Sequence, residues 1–471
     1  MQFVSTRGRA PALSFADAVL TGLARDGGLY LPEAWPQISA DDIEGLANGD
    51  YFNAAMTVLQ PFMEDEFSQP NIERYVAMIG AAYATFRHPS VTPLVEIGPG
   101  HYVLELFHGP TLAFKDVAMQ FLARVMDDIL SSRGSRATIV GATSGDTGSA
   151  AIEAFRGRDN IDIFILHPEG RTSEVQRRQM TTVADENVHN IAVRGTFDDC
   201  QNIVKAMFNN LPFRERVKLS GVNSINWGRI VAQIVYYFKA AATLGAPHRK
   251  VAFTVPTGNF GDIFAGYAAK RMGLPVHKLL IATNENDILR RALETGRYET
   301  SSVTQTTSPS MDIQVSSNFE RLLFEALGRD SEALTGLMQG LAQSGAFTIP
   351  PTALAAIRAD FFAATTDEAT TRLTIAETLQ NSGYLLDPHS AVGVSVGRRF
   401  VAGGIPMVTL ATAHPAKFPA AVKAAAGIEP ALPSWLADLY EREERLSVLN
   451  NDQGEVENFI AARTRVLEES K

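Results

Sequence analysis

The sequence predicts an α/β protein with parallel sheets, preceded by a separate and mainly helical N-terminal unit. Three observations carry that prediction. At 471 residues the chain is too long for one hydrophobic core, so two or three domains are expected. Its first ninety or so residues alternate helical patterns with turn clusters such as RDGG, ending near HPSVTP at 88–93. Beyond them the chain repeats one order: strand, glycine-rich loop, helix, strand. Strands that alternate with helices imply parallel sheets covered on both faces.

Taken in order, helical spacing is clear in HGPTLAFKDVAMQF (108–121), where Phe114, Val117, Ala118, Phe121, Leu122 and Val125 recur at three and four. Lys115 falls in the first turn of that helix, where the backbone dipole already disfavours a cation. ATIVGAT (137–143) reads as a strand, SGDTG as a loop, SAAIEAFRG as a helix ending at Gly157, and IDIFILHP (161–168) as the next strand. A second unit follows with VAFTV (251–255), PTGNFGD, and the helix IFAGYAAKRMG ending at Gly273. PMVTLAT (406–412) is a late strand, with AHPAKF opening the following helix. In such sheets ligands bind where the loops leave the carboxyl ends of the strands.

Composition narrows the function. Hydrophobic content of 45% and charged content of 20% are ordinary for a soluble globular protein. A net charge of -10 argues against nucleic acid or an anionic membrane as the main partner, while leaving room for a local cationic pocket. The single cysteine, Cys200, excludes an internal disulfide, and nine histidines without HxxxH pairing make a metal site unexpected. The N-terminus lacks an apolar signal core and no run of about twenty apolar residues follows, so a cytoplasmic protein is expected.

GATSGDTG (141–148) is not a nucleotide loop. It lacks the Gly-Lys of a phosphate loop, and its glycines at 141, 145 and 148 miss the dinucleotide spacing. What it offers is a turn of backbone amides with the Ser144 and Thr147 hydroxyls at a helix start, suited to a carboxylate or phosphate. A plain strand-to-helix turn fits it as well. TGNFGD (257–262) makes the anion case more strongly, with two glycines flanking Asn259 and Phe260 before a helix. GVSVG (393–397) fits the serine-hydrolase elbow GxSxG, but DPHSAVGVSVGRRF reads as one helix with Asp387 as N-cap and Pro388 in the first turn, leaving Ser395 in mid-helix. Taken alone, Lys115 reads as a solvated surface lysine. Beside two anion-suited loops it reads instead as a desolvated nucleophile for a phosphate-bearing aldehyde cofactor, pyridoxal phosphate.

FHGPTLAFKD (107–116), TSGDTG (143–148), PTGNFGD (256–262) and TAHPAKF (412–418), in this order, resemble threonine synthases of the longer bacterial and fungal type; STRG (5–8) and DGGLYLPE (26–33) fit the same group. The resemblance runs from about residue 1 to about 430. It implies the tryptophan-synthase-β-like pyridoxal phosphate fold, with an N-terminal domain over 1–93, a smaller sheet domain over 94–245 and a larger cofactor domain over 246–471. It also implies a carbon–oxygen lyase acting on phosphates, which turns O-phospho-L-homoserine and water into L-threonine and phosphate. In its terms Lys115 is the Schiff-base lysine. Gly258, Asn259, Phe260, Gly261 and Asp262 hold the cofactor phosphate, Thr412 faces the pyridine nitrogen, and Asp146 lies beside the phenolic oxygen. Ser144, Gly145 and Thr147 grip the substrate carboxylate. Asn223, Ser224, Asn226, Arg229 and Lys417 are the candidates for the substrate phosphate; NSINWGRI (223–230) also reads as a plain helix start with Asn226 as its cap. Within the same fold a serine or threonine dehydratase is the rival expectation, and a non-catalytic cofactor-binding paralogue is the other. A monomer or homodimer is expected.

Overall fold

The computed structural model describes residues 1–63, 71–401 and 403–470. Two sheets dominate. The larger has six strands in the order Phe361–Thr365, Val276–Thr283, Val251–Pro256, Met407–Ala411, His101–Glu105 and Leu94–Gly98. The first five run parallel, and the last is an antiparallel edge. The smaller sheet is parallel throughout, in the order Ser447–Asn450, Val188–Arg194, Ile161–Pro168, Ala137–Ala142 and Leu219–Ser220. Every residue of Ile161–Pro168 and Val251–Pro256 is buried. That is the signature of a strand covered on both faces, and it explains why these segments read as unbroken apolar runs.

The sheets cut across the expected division at residues 94 and 246. Leu94–Gly98 and His101–Glu105 belong to the larger sheet, although they lie in the segment expected to form the smaller domain. Conversely, Ser447–Asn450 pairs with Val188–Arg194 and completes the smaller sheet. Helix Gln453–Ala461 adds buried Val456 and Ile460 to the cluster of Val140, Phe164 and Ile191. Strand partners are chosen by free edges and apolar faces, and adjacency in sequence does not decide them.

The N-terminal segment carries a short antiparallel pair, Phe3–Ser5 with Tyr30–Pro32, and helices at Phe15–Thr21, Ala40–Gly45, Tyr51–Leu59 and Ile72–Tyr83. It packs beneath helix Trp227–Thr243. The Trp227 ring meets Phe3, Trp35 and Phe62 at centroid distances of 5.8, 6.1 and 5.8 Å. Three polar ties reinforce this: Asn226 Nδ2 donates to Val19 O, Lys239 Nζ to Gly49 O, and Arg321 Nη2 to Tyr30 O, all at 2.8 Å.

Helix Lys115–Ser132 lies between Trp227–Thr243 and Asp146–Phe155. Helix Pro388–Arg398 begins at Asp387, whose carboxylate accepts from His389 N and Ser390 N, and it carries Ser395 buried inside it. The hydrolase-like GVSVG is therefore a helix interior. One expected helix differs: AHPAKF forms only a 3-10 turn over Pro415–Lys417, and the α-helix starts afresh at Pro419. Pro419 has no amide hydrogen to donate, so the turn ends there. Among the described residues no helix is long and apolar enough to cross a membrane, and no cluster of His, Cys, Asp or Glu has a metal-holding arrangement.

Candidate active site

Three loops leaving the carboxyl ends of sheet strands converge on Lys115. The segment after His101–Glu105 is stitched antiparallel to the segment after Met407–Ala411. Leu106 N still continues the parallel ladder, donating to Ala411 O at 3.0 Å; the antiparallel stitches are Phe114 N to Thr412 O at 2.8 Å and His414 N to Leu112 O at 3.0 Å. This seam delivers Lys115 as the first residue of its helix, with the ammonium nitrogen 4.6 Å from the Phe114 ring centroid. Asp116 locks the same loop, accepting from Thr111 N at 2.8 Å and Thr111 Oγ1 at 2.7 Å. Gly109 must be glycine here, since a Cβ would lie 2.4 Å from that of Asp116.

Burial pushes the Lys115 amine down to about 8, with Asp146 and Asp116 opposing and Arg229 and Lys417 assisting. Asp116 is kept from being a strong counter-charge by its own burial, which pushes its carboxyl up to about 6 against the hydrogen bonds from Thr111. The nearer carboxylate is Asp146, whose Oδ2 lies 3.8 Å from Lys115 Nζ. Burial would raise Asp146, but Lys417 and Lys115, together with a 2.8 Å bond from Gln176 Nε2, hold it well below the usual carboxylate range. It is ionised.

The SGDTG turn opens helix Asp146–Phe155. Thr143 Oγ1 accepts from Gly145 N and Gly148 N, both at 2.9 Å, which fixes the loop from inside. Among the described residues the amides of Ser144, Asp146 and Thr147 have no acceptor, and Ser144 is exposed. Gly145 sits at φ 150°, and a Cβ there would lie 2.4 Å from Gln176 Cδ.

In TGNFGD, Phe260 holds φ 64° at the start of helix Gly261–Arg271, and its ring is anchored on Phe319 and Phe361. A left-handed phenylalanine is strained, and packing must hold it. The loop's carbonyls are spoken for: Gly258 O accepts from Ser316 Oγ at 2.6 Å, and Asn259 O from Asn318 Nδ2 at 2.9 Å. The amides of Gly258, Asn259, Phe260 and Gly261 have no acceptor among the described residues. A Cβ on Gly258 would come 2.5 Å from Ser310 O. Asp262 is turned inward, where its Oδ1 accepts from the Tyr236 and Tyr237 hydroxyls. Burial pushes its carboxyl up to about 6, and Oδ2 is buried without a partner. Thr412 is buried, its N–H given to Ser390 Oγ at 3.2 Å.

The NSINWGRI candidates divide. Asn226 is the N-cap of Trp227–Thr243, accepting from Gly228 N at 2.9 Å, so both ends of its amide are committed to structure. Asn223 is exposed and Ser224 partly so. Arg229, 2% exposed, has one long bond from Nη1 to Val222 O at 3.4 Å, and its Nε is buried without a partner. A buried guanidinium in that condition fits an anion. Lys417 has no such freedom. Its Nζ donates to Thr111 O at 2.7 Å and Gln179 Oε1 at 3.0 Å, and it pairs with Asp146 Oδ1 at 3.0 Å.

Several residues that the motifs do not announce belong to this arrangement. His389 Nε2 accepts from Ser310 N at 3.2 Å, so Nδ1 carries the proton and donates to Asp387 at 2.9 Å. Ser310 Oγ lies 3.5 Å from Asp146 Oδ2. Gln176, Gln179, Ser310, Asn318 and His389 come from segments with no motif. The only sequence signal among them was DPH, read as a helix start.

A lysine amine lowered toward neutrality, a nest of unpartnered amides at a helix start and a second such turn opposite fit pyridoxal phosphate. These features on the carboxyl edge of two parallel sheets define the class of pyridoxal-phosphate-dependent enzymes, and residues 86–359 match the family described as "Pyridoxal-phosphate dependent enzyme". Residues 2–83 match "Threonine synthase N terminus", and residues 390–460 match "Threonine synthase, C-terminal". The chain belongs to the threonine synthase family. It is 52% identical to the threonine synthase of Pseudomonas aeruginosa, over 98% of both chains, and 44% identical to that of Schizosaccharomyces pombe, over 90% and 89%. Among solved structures, PLP-bound threonine synthase from Brucella melitensis superposes with a TM-score of 0.96 at 62% identity, over 99% of this chain and 100% of that one. Yeast threonine synthase superposes at 0.92 with 40% identity, over 99% of both. A threonine deaminase from Solanum lycopersicum, 14% identical with a TM-score of 0.52 over 77% of this chain and 95% of that one, shares the fold alone.

Proposed function

We infer that the protein carries out the pyridoxal-phosphate-dependent threonine synthase reaction, converting O-phospho-L-homoserine and water to L-threonine and phosphate. The observation that carries this reading is the buried, underpartnered Arg229 in the same site as the Lys115 amine. A dehydratase of this fold has no second phosphate to bind and no use for such a cation.

The amides of Gly258, Asn259, Phe260 and Gly261 would hold the cofactor phosphate and Thr412 would face its ring, while Asp262 braces their helix through Tyr236 and Tyr237. When bound, pyridoxal phosphate supplies an electron sink for charge developing on the substrate carbons. Ser144, Gly145 and Thr147 take the substrate carboxylate: Ser144 and Thr147 offer amides with no acceptor among the described residues together with their hydroxyls, and Gly145, its own amide given to Thr143 Oγ1, shapes the turn. Arg229 takes the substrate phosphate, helped by Asn223 and Ser224, while Asn226 fixes the loop that presents them. Lys115 Nζ moves the protons. Once its amine is free it accepts the α proton and, having passed that on, a β proton. Two protons return, one to the γ carbon that phosphate has left and one to the α carbon after water adds at the β carbon, the second proton of that water leaving with phosphate. Its lowered proton affinity suits both directions near neutral pH. Burial around Lys115 and Arg229 keeps bulk water from the reacting carbons, so that one positioned water adds at the β carbon.

Protein loaded with pyridoxal phosphate is expected to show a visible absorbance band that Lys115→Ala abolishes, and to release phosphate from O-phospho-L-homoserine with formation of threonine. Failure to turn over that substrate, despite an intact band, would overturn the reading.

A further inference from the structure

Lys417 is 0% exposed, and its ammonium is held by three acceptors from different places: Thr111 O on the Lys115 loop, Gln179 Oε1 on helix Glu174–Thr181, and Asp146 Oδ1. Two of the three belong to the half built on the smaller sheet, whereas Lys417 comes from the half built on the larger one. Lys417 thus reaches from one half to the other and captures one oxygen of Asp146, leaving the other 3.8 Å from Lys115 Nζ. We propose that Lys417 is a positioning residue for the reaction: by claiming Asp146 Oδ1 it limits the grip of that carboxylate on the Lys115 ammonium, and it is not a ligand of the substrate phosphate.

The charges around Lys115 make the direction of the effect calculable. Facing it are Asp146 from Asp146–Phe155, Arg229 from Trp227–Thr243, Lys417, Asp116 from the helix of Lys115 itself, and Asp262 from Gly261–Arg271. Asp146 in turn faces Lys417, Lys115 and His389. Neutralising Lys417 removes a like charge from the neighbourhood of Lys115. It also frees Asp146 to turn its full charge onto Lys115. Both changes favour the Lys115 ammonium, so the amine becomes harder to deprotonate. A phosphate-ligand role predicts neither change.

The inference rests on the proposed activity, and one set of measurements separates the two. Full-length protein stripped of cofactor is mixed with pyridoxal phosphate over pH 6–10, and growth of the visible band is timed. Only the neutral amine attacks an aldehyde, so the wild-type rate should rise with pH through about 8 and then level. In Lys417→Met the midpoint should move up by about one unit, making capture at pH 7 about tenfold slower. The KM for O-phospho-L-homoserine should stay within about threefold of wild type, because uniform substrate binding is untouched. Lys417→Gln, which keeps a hydrogen-bonding amide, should shift the midpoint the same way and stands in if the methionine variant is not recovered folded. An unmoved midpoint with a KM raised about tenfold or more would assign Lys417 to the phosphate and overturn the inference alone. A wild-type protein that forms no band at any pH removes the inference and the proposed activity together.

Discussion

At the scale of single residues, the site is defined by which charges are satisfied and which are left wanting. Lys115 and Arg229 are both buried cations with depressed proton affinity, the second to about 10 through burial. Neither has a full set of partners, and the pairing each lacks is the pairing a ligand brings. Lys417, equally buried, has three partners and so has no capacity to spare. Replacing Arg229 with methionine should lower kcat/KM for O-phospho-L-homoserine by about a hundredfold or more, the scale of losing one desolvated charge contact of about 3 kcal/mol. The same change should leave urea stability unchanged or higher, since an unpaired buried charge gives way to an apolar chain of similar length. Parallel activity and urea-unfolding measurements check both halves; a loss of several kcal/mol would mean that Arg229 is structural.

At the scale of elements, glycines and caps set the loops that the chemistry uses. Gly258 lies against the backbone of Ser310, and backbone cannot step aside as a side-chain end can. Gly258→Ala should therefore spread the 257–261 loop and weaken pyridoxal phosphate binding at least about tenfold, with Lys115 intact, because the amide cradle loses its geometry. Absorbance titration with the cofactor measures this, and a dissociation constant equal to wild type counts against the cradle. The motif loops were legible in the sequence because glycine spacing and helix starts are local properties. The segment at 308–318 was not. Its serines and Asn318 acquire meaning only by packing on Gly258 and Asn259, residues about fifty or sixty positions away.

At the scale of the whole molecule, the two halves are interleaved. The chain's last strand and helix return to the sheet that begins near residue 137, where Arg465 Nε pairs with Asp162 at 2.6 Å. Removing residues 447–471 unpairs the edge of Val188–Arg194 and uncovers the surface that Val456 and Ile460 bury. Two aliphatic side chains at about 1.5–3 kcal/mol each are a large part of a typical net stability of about 5–15 kcal/mol. The truncated chain is expected to be insoluble or to unfold at much lower urea concentration, as measured by circular dichroism. Full wild-type stability in that form would show that the C-terminal strand is an ornament on the sheet. The N-terminal segment plays the corresponding part beneath the site, holding Trp227 and Asn226 from below while Arg321 donates to both Tyr30 O and Ile225 O.

What the sequence by itself determined is local. Glycine spacing excluded nucleotides, helical periodicity put Lys115 at a helix start in apolar company, and four motifs in order marked the resemblance to threonine synthases. Asp387 and Pro388 likewise marked a helix that disposed of the hydrolase motif. Tertiary structure alone decided which half each strand joins. It also decided that Lys417 faces Asp146 and that His389, Gln176, Gln179 and Ser310 surround that carboxylate. The physical reason is range. Capping, turns and periodicity act over a few residues and leave a pattern in the chain, whereas the partner of a buried charge is whichever group the folded core brings within about 3–4 Å, and no spacing along the chain encodes that.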